Sequence, residues 1–188
     1  MRIIAGSFRG KKLIKPANLK TRPLKDLVKE SIFNIVSHSN KFEINLYNSN
    51  VLDLFSGIGS FGIECLSRGV KEVTFIENYE KVLNILKKNL GNLKSISNYK
   101  ILVKDIYKQN TLSLLSTEFD LIFLDPPFKD RNLQFIFNNM IKYKLLKKNG
   151  IVILHRHKNE KDQNFEGLNI VDRKIYGLSE IFFFTQSN

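Results

Sequence analysis

Short runs of apolar residues alternate with amphipathic segments along most of this chain of 188 residues. The apolar runs that predict β-strands lie at 51–55, 72–76, 99–103, 119–124 and 150–154. Between them, apolar residues recur three and four positions apart, which predicts helices at about 60–68, through 82–90, near 107–116 and from the residues after 128 to about 144. Strands that alternate with helices predict an α/β protein with a doubly wound, mostly parallel, Rossmann-like sheet.

The C-terminal part of the chain breaks this alternation. Two β-prone runs, 168–175 and 180–185, are separated only by a short segment that contains Gly177. A connection this short cannot hold a crossover helix, so the two runs should pair antiparallel. The sheet is therefore predicted to end in an antiparallel hairpin.

The N-terminal part has a different pattern again. Runs at 2–6 and 11–15 flank a turn with a glycine, which predicts a small β-hairpin, and an amphipathic helix follows from Pro23. We therefore expect two parts: an N-terminal hairpin and helix over 1–40, and a larger α/β domain over 41–188.

Positive charge is concentrated at the N-terminus. The chain has a formal net charge of +12, and residues 1–30 hold nine lysines and arginines against two acidic residues, a net +7. Charge clustered in this way indicates a polyanionic partner, most often a nucleic acid. The basic residues that we expect to contact it are Arg2, Arg9, Lys11, Lys12 and Arg22.

Composition argues against several classes of protein. No apolar run approaches about 18 residues, which predicts no membrane span, and the apolar part of the N-terminus is too short for a signal peptide. The single cysteine, Cys65, fits a reducing cytoplasm. His155 and His157 lie close together but lack further ligands, so we expect no metal site. A cytoplasmic monomer is the resulting expectation.

A glycine-rich loop follows the first strand of the α/β domain. Its sequence, Gly57-Ile58-Gly59-Ser60-Phe61-Gly62, fits a dinucleotide site as well as one for S-adenosylmethionine. Asp53 favours S-adenosylmethionine, because a carboxylate at the loop would repel a pyrophosphate but attract an ammonium or a sulfonium.

Two more acidic positions complete the predicted cofactor site. Glu77, which follows the second strand, could accept hydrogen bonds from ribose hydroxyls in either kind of cofactor. Asp105, which follows the third strand, could accept a hydrogen bond from an adenine amine while Ile106 packs against the ring. An ordinary helix N-cap is an equally good interpretation of Asp105.

The fourth strand ends in Asp125-Pro126-Pro127-Phe128, the Asp-Pro-Pro-Phe loop. Because proline lacks an N–H and restricts the residue before it, this loop is rigid and offers acceptors rather than donors. Such a loop suits a flat group that carries an amine. If the first and fourth strands are neighbours, Asp53 and Asp125 end at one crevice, and no dinucleotide enzyme requires the second motif.

Together these motifs resemble those of class I methyltransferases. The loop from Asp53 through Phe55, Ser56, Gly57 and Gly59 corresponds to the cofactor motif, and the Asp-Pro-Pro-Phe loop resembles the signature of enzymes that methylate exocyclic amines. Three N-terminal segments, 2–10, 21–23 and 29–35, resemble the RsmD family, which methylates a guanine 2-amino group in small-subunit ribosomal RNA. The resemblance implies S-adenosylmethionine as the methyl donor and an RNA-binding role for the basic N-terminus.

The same resemblance gives the catalytic residues their expected roles. The Asp125 carboxylate and the Pro126 carbonyl would accept hydrogen bonds from the guanine amine, Pro127 would hold the loop rigid, and Phe128 would stack on the base. Three positions depart from the family pattern: Leu27 replaces a frequent arginine, Phe128 a commoner tyrosine, and Leu154 an acidic residue before the histidine. The alternatives are methylation of an adenine or cytosine amine in DNA or other RNA, and a non-catalytic RNA-binding protein on the same fold.

Overall fold

A computed structural model describes residues 1–16, 24–108, 110–160 and 165–187. Seven strands form one sheet in the order β3-β2-β1-β4-β5-β7-β6. The strands are β1 (Asn50–Leu54), β2 (Glu72–Ile76), β3 (Tyr99–Leu102), β4 (Phe119–Leu124), β5 (Leu146–His157), β6 (Leu168–Tyr176) and β7 (Ser179–Gln186). The helices are α1 (Asp26–His38), α2 (Ser60–Ser67), α3 (Glu80–Gly91) and α4 (Leu133–Lys142).

Strands β1 to β5 are parallel, and β7 pairs antiparallel with both β5 and β6. This confirms the predicted doubly wound sheet with a C-terminal hairpin. Strand β1 lies between β2 and β4, so the chain reverses direction across the sheet at β1. The register places Asp53 beside Phe123 of β4, two residues before Asp125.

Both faces of the sheet are covered, which explains why its strands are apolar at almost every position. On one face, Val51 packs in a core that includes residues of α1, α2 and α3. On the other face, Leu52 and Leu54 pack with residues of α4. The polar connections at the carboxyl ends of the strands are not covered by these helices and are therefore available to bind a ligand.

The helix predicted near 107–116 is wrong, because the described part of this segment contains only a 3-10 turn at Leu112–Leu114. The Asp105 carboxylate accepts a hydrogen bond from the Tyr107 N–H, and the Thr111 hydroxyl donates to the Asp105 carbonyl. Such local side-chain bonds to the backbone compete with helical hydrogen bonds. Strand β5 is also longer than predicted at both ends.

The predicted N-terminal hairpin is reduced to a single antiparallel bridge between Arg2 and Lys12. Its apolar residues Ile3 and Leu13 belong to the same core as helices α1 to α3. The predicted start of α1 at Pro23 lies outside the described residues, and the helix begins at Asp26. The division at residue 40 stays a prediction, and the N-terminal segment packs directly on the α/β core.

Candidate active site

A cavity of about 670 Å³ lies at the carboxyl ends of β1, β2 and β4. Its volume falls in the range of small-molecule sites, and its place, where the strand order reverses, is the usual position of ligands in open α/β sheets. Its lining includes eleven of the predicted cofactor and catalytic residues: Asp53, Phe55, Ser56, Gly57, Glu77, Asp105, Ile106, Asp125, Pro126, Pro127 and Phe128. The glycine-rich loop and the Asp-Pro-Pro-Phe loop, which the sequence singles out separately, therefore line one cavity.

Gly59 is the one predicted cofactor residue that is not part of this lining. Its φ is +82°, and a Cβ atom there would lie 2.4 Å from Leu86 Cδ1. The positive φ favours glycine at this position, where the loop turns into α2, and a larger side chain would also displace Leu86 of α3.

Asp53 is buried at the end of β1, with 1% of its surface exposed. Its Oδ2 accepts a hydrogen bond from the Gly62 N–H at 2.9 Å, and a side chain on Gly62 would collide with this carboxylate and with Phe75. Burial raises the pKa of Asp53 to about 8, and the nearby carboxylates of Asp125 and Glu77 contribute to the rise. A cation in the cavity would favour the ionised form of Asp53.

The Glu77 carboxylate fixes the glycine loop to the start of α3. One oxygen accepts the Gly57 N–H at 2.8 Å, and the other accepts the N–H groups of Asn78 and Tyr79 at 2.9 and 2.7 Å. Oε1 accepts two of these bonds and Oε2 accepts one, so one lone pair of Oε2 is left for a ligand hydroxyl. Glu77 therefore shapes the loop as well as offering an acceptor to the cavity.

Two serines at the loop differ in their bonding. The Ser56 hydroxyl donates a hydrogen bond to the Asp53 carbonyl at 2.6 Å, which holds the loop against the end of β1. The buried Ser60 hydroxyl lines the cavity and has no hydrogen-bond partner among the described residues. An unsatisfied buried hydroxyl at the N-terminus of α2 suits a polar ligand atom, such as a carboxylate oxygen.

Asp105 is not a helix N-cap, because no α-helix begins in the described residues between it and β4. Its carboxylate closes the turn to Tyr107, while Ile106 beside it is buried and lines the cavity. The Tyr107 hydroxyl donates to the Asp130 carboxylate, and burial, followed by this bond, raises the pKa of Tyr107. Apolar and acceptor groups thus adjoin at this end of the cavity, as an adenine ring and its amine require.

The Asp-Pro-Pro-Phe loop is held by residues outside its own sequence. The Asp125 N–H donates to the Leu54 carbonyl of β1, which ties the loop to the neighbouring strand. The guanidinium of buried Arg156 donates to the carbonyls of Pro127 and Asp130, at 3.1 and 2.9 Å. No hydrogen bond between described residues uses the Pro126 carbonyl, so this oxygen can serve a ligand.

Sequence reasoning missed the partners of this loop. His155 Nδ1 lies 2.8 Å from Asp125 Oδ1, and His155 Nε2 lies 2.9 Å from Ser179 Oγ. The Phe128 ring contacts His155 and His157 edge-on, with centroids 5.8 and 5.4 Å apart. The signal in the sequence was the run of polar side chains, His155, Arg156 and His157, at the end of β5. No group of three potential metal ligands occurs within the described ranges.

The basic N-terminal segment is anchored on α2 by a buried carboxylate. The Glu64 oxygens accept the N–H groups of Ile4 and Ala5 at 2.8 and 2.9 Å, and Lys29 Nζ lies 3.3 Å from Glu64. Burial lowers the pKa of Lys29. The segment is therefore held in place by contacts within the chain.

The anchored segment carries its charge on the outside. Arg2, Arg9, Lys11 and Lys12 are exposed and do not line the cavity, whereas Pro16 and Leu24 do. Arg22 lies outside the described residues. The segment therefore joins a basic surface to the rim of the cavity. No helix within the described ranges is long and apolar enough to cross a bilayer.

The residues at the cavity fit S-adenosylmethionine. Asp53 suits a cation, Glu77 suits a ribose hydroxyl, and Asp105 and Ile106 suit an adenine. The Ser60 hydroxyl, which has no partner in the described part of the chain, suits a carboxylate. A dinucleotide would place a pyrophosphate near Asp53, where it could bind only beside the protonated carboxyl group, because the ionised carboxylate repels it.

Comparison with known proteins gives matches over almost the whole chain. The model of the family described as Conserved hypothetical protein 95 matches residues 1–185. The chain is 34% identical over 183 residues to Ribosomal RNA small subunit methyltransferase D of Haemophilus influenzae, across 95% of this chain and 90% of that protein. It is 32% identical over 183 residues to YlbH of Bacillus subtilis, with 96% of each chain covered. The solved structure of yhhF of Escherichia coli matches with a TM-score of 0.80 at 27% identity, over 100% of this chain and 98% of that chain.

Proposed function

We propose a function for this chain from its site and its family, because it belongs to the family described as Conserved hypothetical protein 95, the RsmD family. It transfers a methyl group from S-adenosylmethionine to the exocyclic 2-amino group of a guanine in small-subunit (16S) ribosomal RNA. One observation carries the proposal. A single cavity holds an acidic cofactor cradle at Asp53 and Glu77 and an amine-accepting loop at Asp125.

The chemistry of the amine explains why acceptors are needed. The guanine amine is a weak nucleophile because its lone pair is delocalised into the ring, and bound S-adenosylmethionine supplies an activated methyl group. As nitrogen forms the new bond it loses this delocalisation and gains positive charge. The Asp125 carboxylate and the Pro126 carbonyl would accept hydrogen bonds from the two amine hydrogens and thereby stabilise that charge. Fixed groups of this kind contribute about 10²–10³-fold each to the rate.

The loop is suited to this task because it is held before the substrate arrives. The Arg156 guanidinium donates a hydrogen bond to the Pro127 carbonyl, so this carbonyl cannot turn into the cavity. The proton can leave nitrogen after methyl transfer, and therefore no general base is required. Phe128, which is partly exposed, would stack on a base that has left its helix.

Charge and relatives support RNA as the substrate. The exposed basic residues of the N-terminal segment lie on the same anchored loop whose end, Pro16, reaches the cavity. The relative from Haemophilus influenzae is named for ribosomal RNA of the small subunit. We propose that the segment over 1–40 holds the RNA backbone while the domain over 41–188 carries out the transfer, in the cytoplasm and as a monomer.

A methyl-transfer assay tests the proposal. Small-subunit ribosomal RNA and assembled subunits from a strain that lacks this protein are incubated with labelled S-adenosylmethionine and the purified chain. We expect label in the RNA with the wild-type chain and almost none with Asp125→Ala. Label in DNA, or in an adenine or cytosine, would replace the guanine assignment, and the absence of transfer to any nucleic acid would favour a non-catalytic RNA-binding protein.

A further inference from the structure

His155 occupies a buried position behind the proposed catalytic carboxylate. It lies near the end of β5 with 3% of its surface exposed. Its ring bridges Asp125 on β4 and Ser179 on β7, and the edge of the Phe128 ring lies against it. The chemistry proposed above uses Asp125 and Phe128 but gives no role to His155 or Ser179.

The bonding chain has a definite direction. An ionised carboxylate can only accept hydrogen bonds, so Nδ1 of His155 must donate to Asp125 Oδ1. In a neutral imidazole the other nitrogen, Nε2, is then an acceptor, and the Ser179 hydroxyl can donate to it. The serine thereby stabilises the tautomer of His155 that donates to Asp125.

We propose that His155 and Ser179 are positioning residues that orient the Asp125 carboxylate for the guanine amine, an inference that rests on the proposed function. The Nδ1–H group of His155 occupies one carboxylate oxygen, Oδ1, and thereby directs the other oxygen, Oδ2, to the substrate. Without it the carboxylate can rotate about its Cβ–Cγ bond, and a displaced acceptor loses much of its effect on the transition state.

The fold explains why this arrangement is fixed. Strand β7 pairs antiparallel with β5, and Ser179 is paired with His157, two residues beyond His155. The C-terminal hairpin therefore carries the hydroxyl to the catalytic loop. Arg156, between the two histidines, binds the carbonyls of Pro127 and Asp130. The same strand end thus holds both the side chain and the backbone of the loop.

Variants at His155 separate the two ring nitrogens. His155→Asn places an amide N–H near the position of Nδ1 and can still donate to Asp125, whereas His155→Leu cannot. His155→Gln places its amide near Nε2 instead. We expect single-turnover methyl transfer to fall about 10-fold or more in the Leu and Gln variants and by less in the Asn variant, because a hydrogen bond to a charged group is worth about that factor. Ser179→Ala should lower the rate by a smaller factor, and Ser179→Thr should restore it.

A double-mutant cycle separates a positioning role of His155 from a purely structural one. In an Asp125→Ala background, His155→Leu should cause little further loss of rate, because the group that it orients is already absent. Affinity for S-adenosylmethionine should be unchanged in all variants, and Ser95→Ala, at an exposed serine outside both the cavity and the 1–40 segment, is the matched control.

The outcomes distinguish this inference from the proposed function. If the wild-type chain transfers no methyl group, the function fails. If the wild-type chain is active and His155→Leu keeps its rate, or if His155→Leu and Asp125→Ala lower the rate by independent factors, the positioning role is overturned. Should His155→Leu fail to fold, the ranking of Asn above Gln and the effect of Ser179→Ala still decide the matter.

Discussion

Asp53→Asn should stabilise this protein at neutral pH while it weakens the binding of S-adenosylmethionine. The asparagine oxygen can still accept the Gly62 N–H, and its amide fills almost the same volume as the carboxyl group. What changes is the charge. In the folded chain, burial raises the pKa of Asp53 to about 8 from 3.8, so the unfolded state releases this proton first.

The sign and the size of the effect follow from proton linkage. Between pH 3.8 and about 8 the folded state binds more protons than the unfolded state, so the contribution of Asp53 to stability falls as the pH rises. Each pKa unit corresponds to about 1.4 kcal/mol, which makes the penalty about 4 kcal/mol at pH 7. Asparagine does not titrate and should be free of this penalty.

Urea unfolding of both proteins at several pH values measures the difference. We expect the two free energies of unfolding to be similar near pH 4 and to diverge by about 1.4 kcal/mol per pH unit up to pH 8, in favour of the variant. Parallel curves would refute the reasoning, because they would mean that Asp53 ionises normally in the folded chain.

The same carboxyl group should couple cofactor binding to proton release. A cationic ligand favours ionised Asp53, so calorimetry below pH 8 in buffers of different ionisation enthalpy should detect release of up to one proton per S-adenosylmethionine bound. Asp53→Asn should bind this ligand much more weakly and release no proton. Tight binding of NAD in place of S-adenosylmethionine would overturn the assignment of the cavity.

Three further predictions concern catalysis, RNA binding and the N-terminal anchor. Asp125→Ala should bind S-adenosylmethionine normally yet lose about 10²-fold or more in the rate of single-turnover transfer, and the rate of Asp125→Asn should lie between those of Asp125→Ala and the wild-type chain. A near-normal rate in a folded Asp125→Ala protein would contradict a catalytic role. Neutralising Arg9, Lys11 and Lys12 together should lower the log–log salt slope of RNA binding by about 0.7–0.9 for each phosphate that these side chains neutralise, and an unchanged slope would mean that these charges face solvent. Glu64→Gln should lower the free energy of unfolding by about 3–5 kcal/mol, because it removes the buried negative charge that pairs with Lys29 and Arg68. It should also increase proteolysis at the N-terminus, and unchanged stability in chemical denaturation would contradict this.

Local pattern was enough to predict the sheet and the cavity. Apolar strands bounded by glycine and proline are local features, and parallel strands bring their carboxyl ends to one edge, so Asp53 and Asp125 could be expected to meet. The missing helix shows where local pattern fails. Leu112 and Leu115 lie three positions apart, as on one face of a helix, but the hydrogen bonds that the Tyr107 N–H and the Thr111 hydroxyl donate to Asp105 hold this segment as turns.

The partners of the Asp-Pro-Pro-Phe loop depend on pairings between distant parts of the chain. Ser179 meets His155 only through the antiparallel register of β5 and β7, which the sequence does not specify to a single residue. Likewise Glu64 is one polar residue in a buried helix, and nothing near it in sequence indicates that it binds the backbone of Ile4 and Ala5. Contacts of this kind require the fold itself.

The identity of the methylated nucleoside tests the central claim most directly. Small-subunit ribosomal RNA from cells with and without this protein, and the same RNA after incubation with the purified chain, can be digested and analysed by mass spectrometry against nucleoside standards. We predict that N2-methylguanosine is reduced in the absence of the protein and restored by wild-type chain but not by Asp125→Ala. Unchanged N2-methylguanosine together with the loss of a methylated adenosine or cytidine would contradict the account.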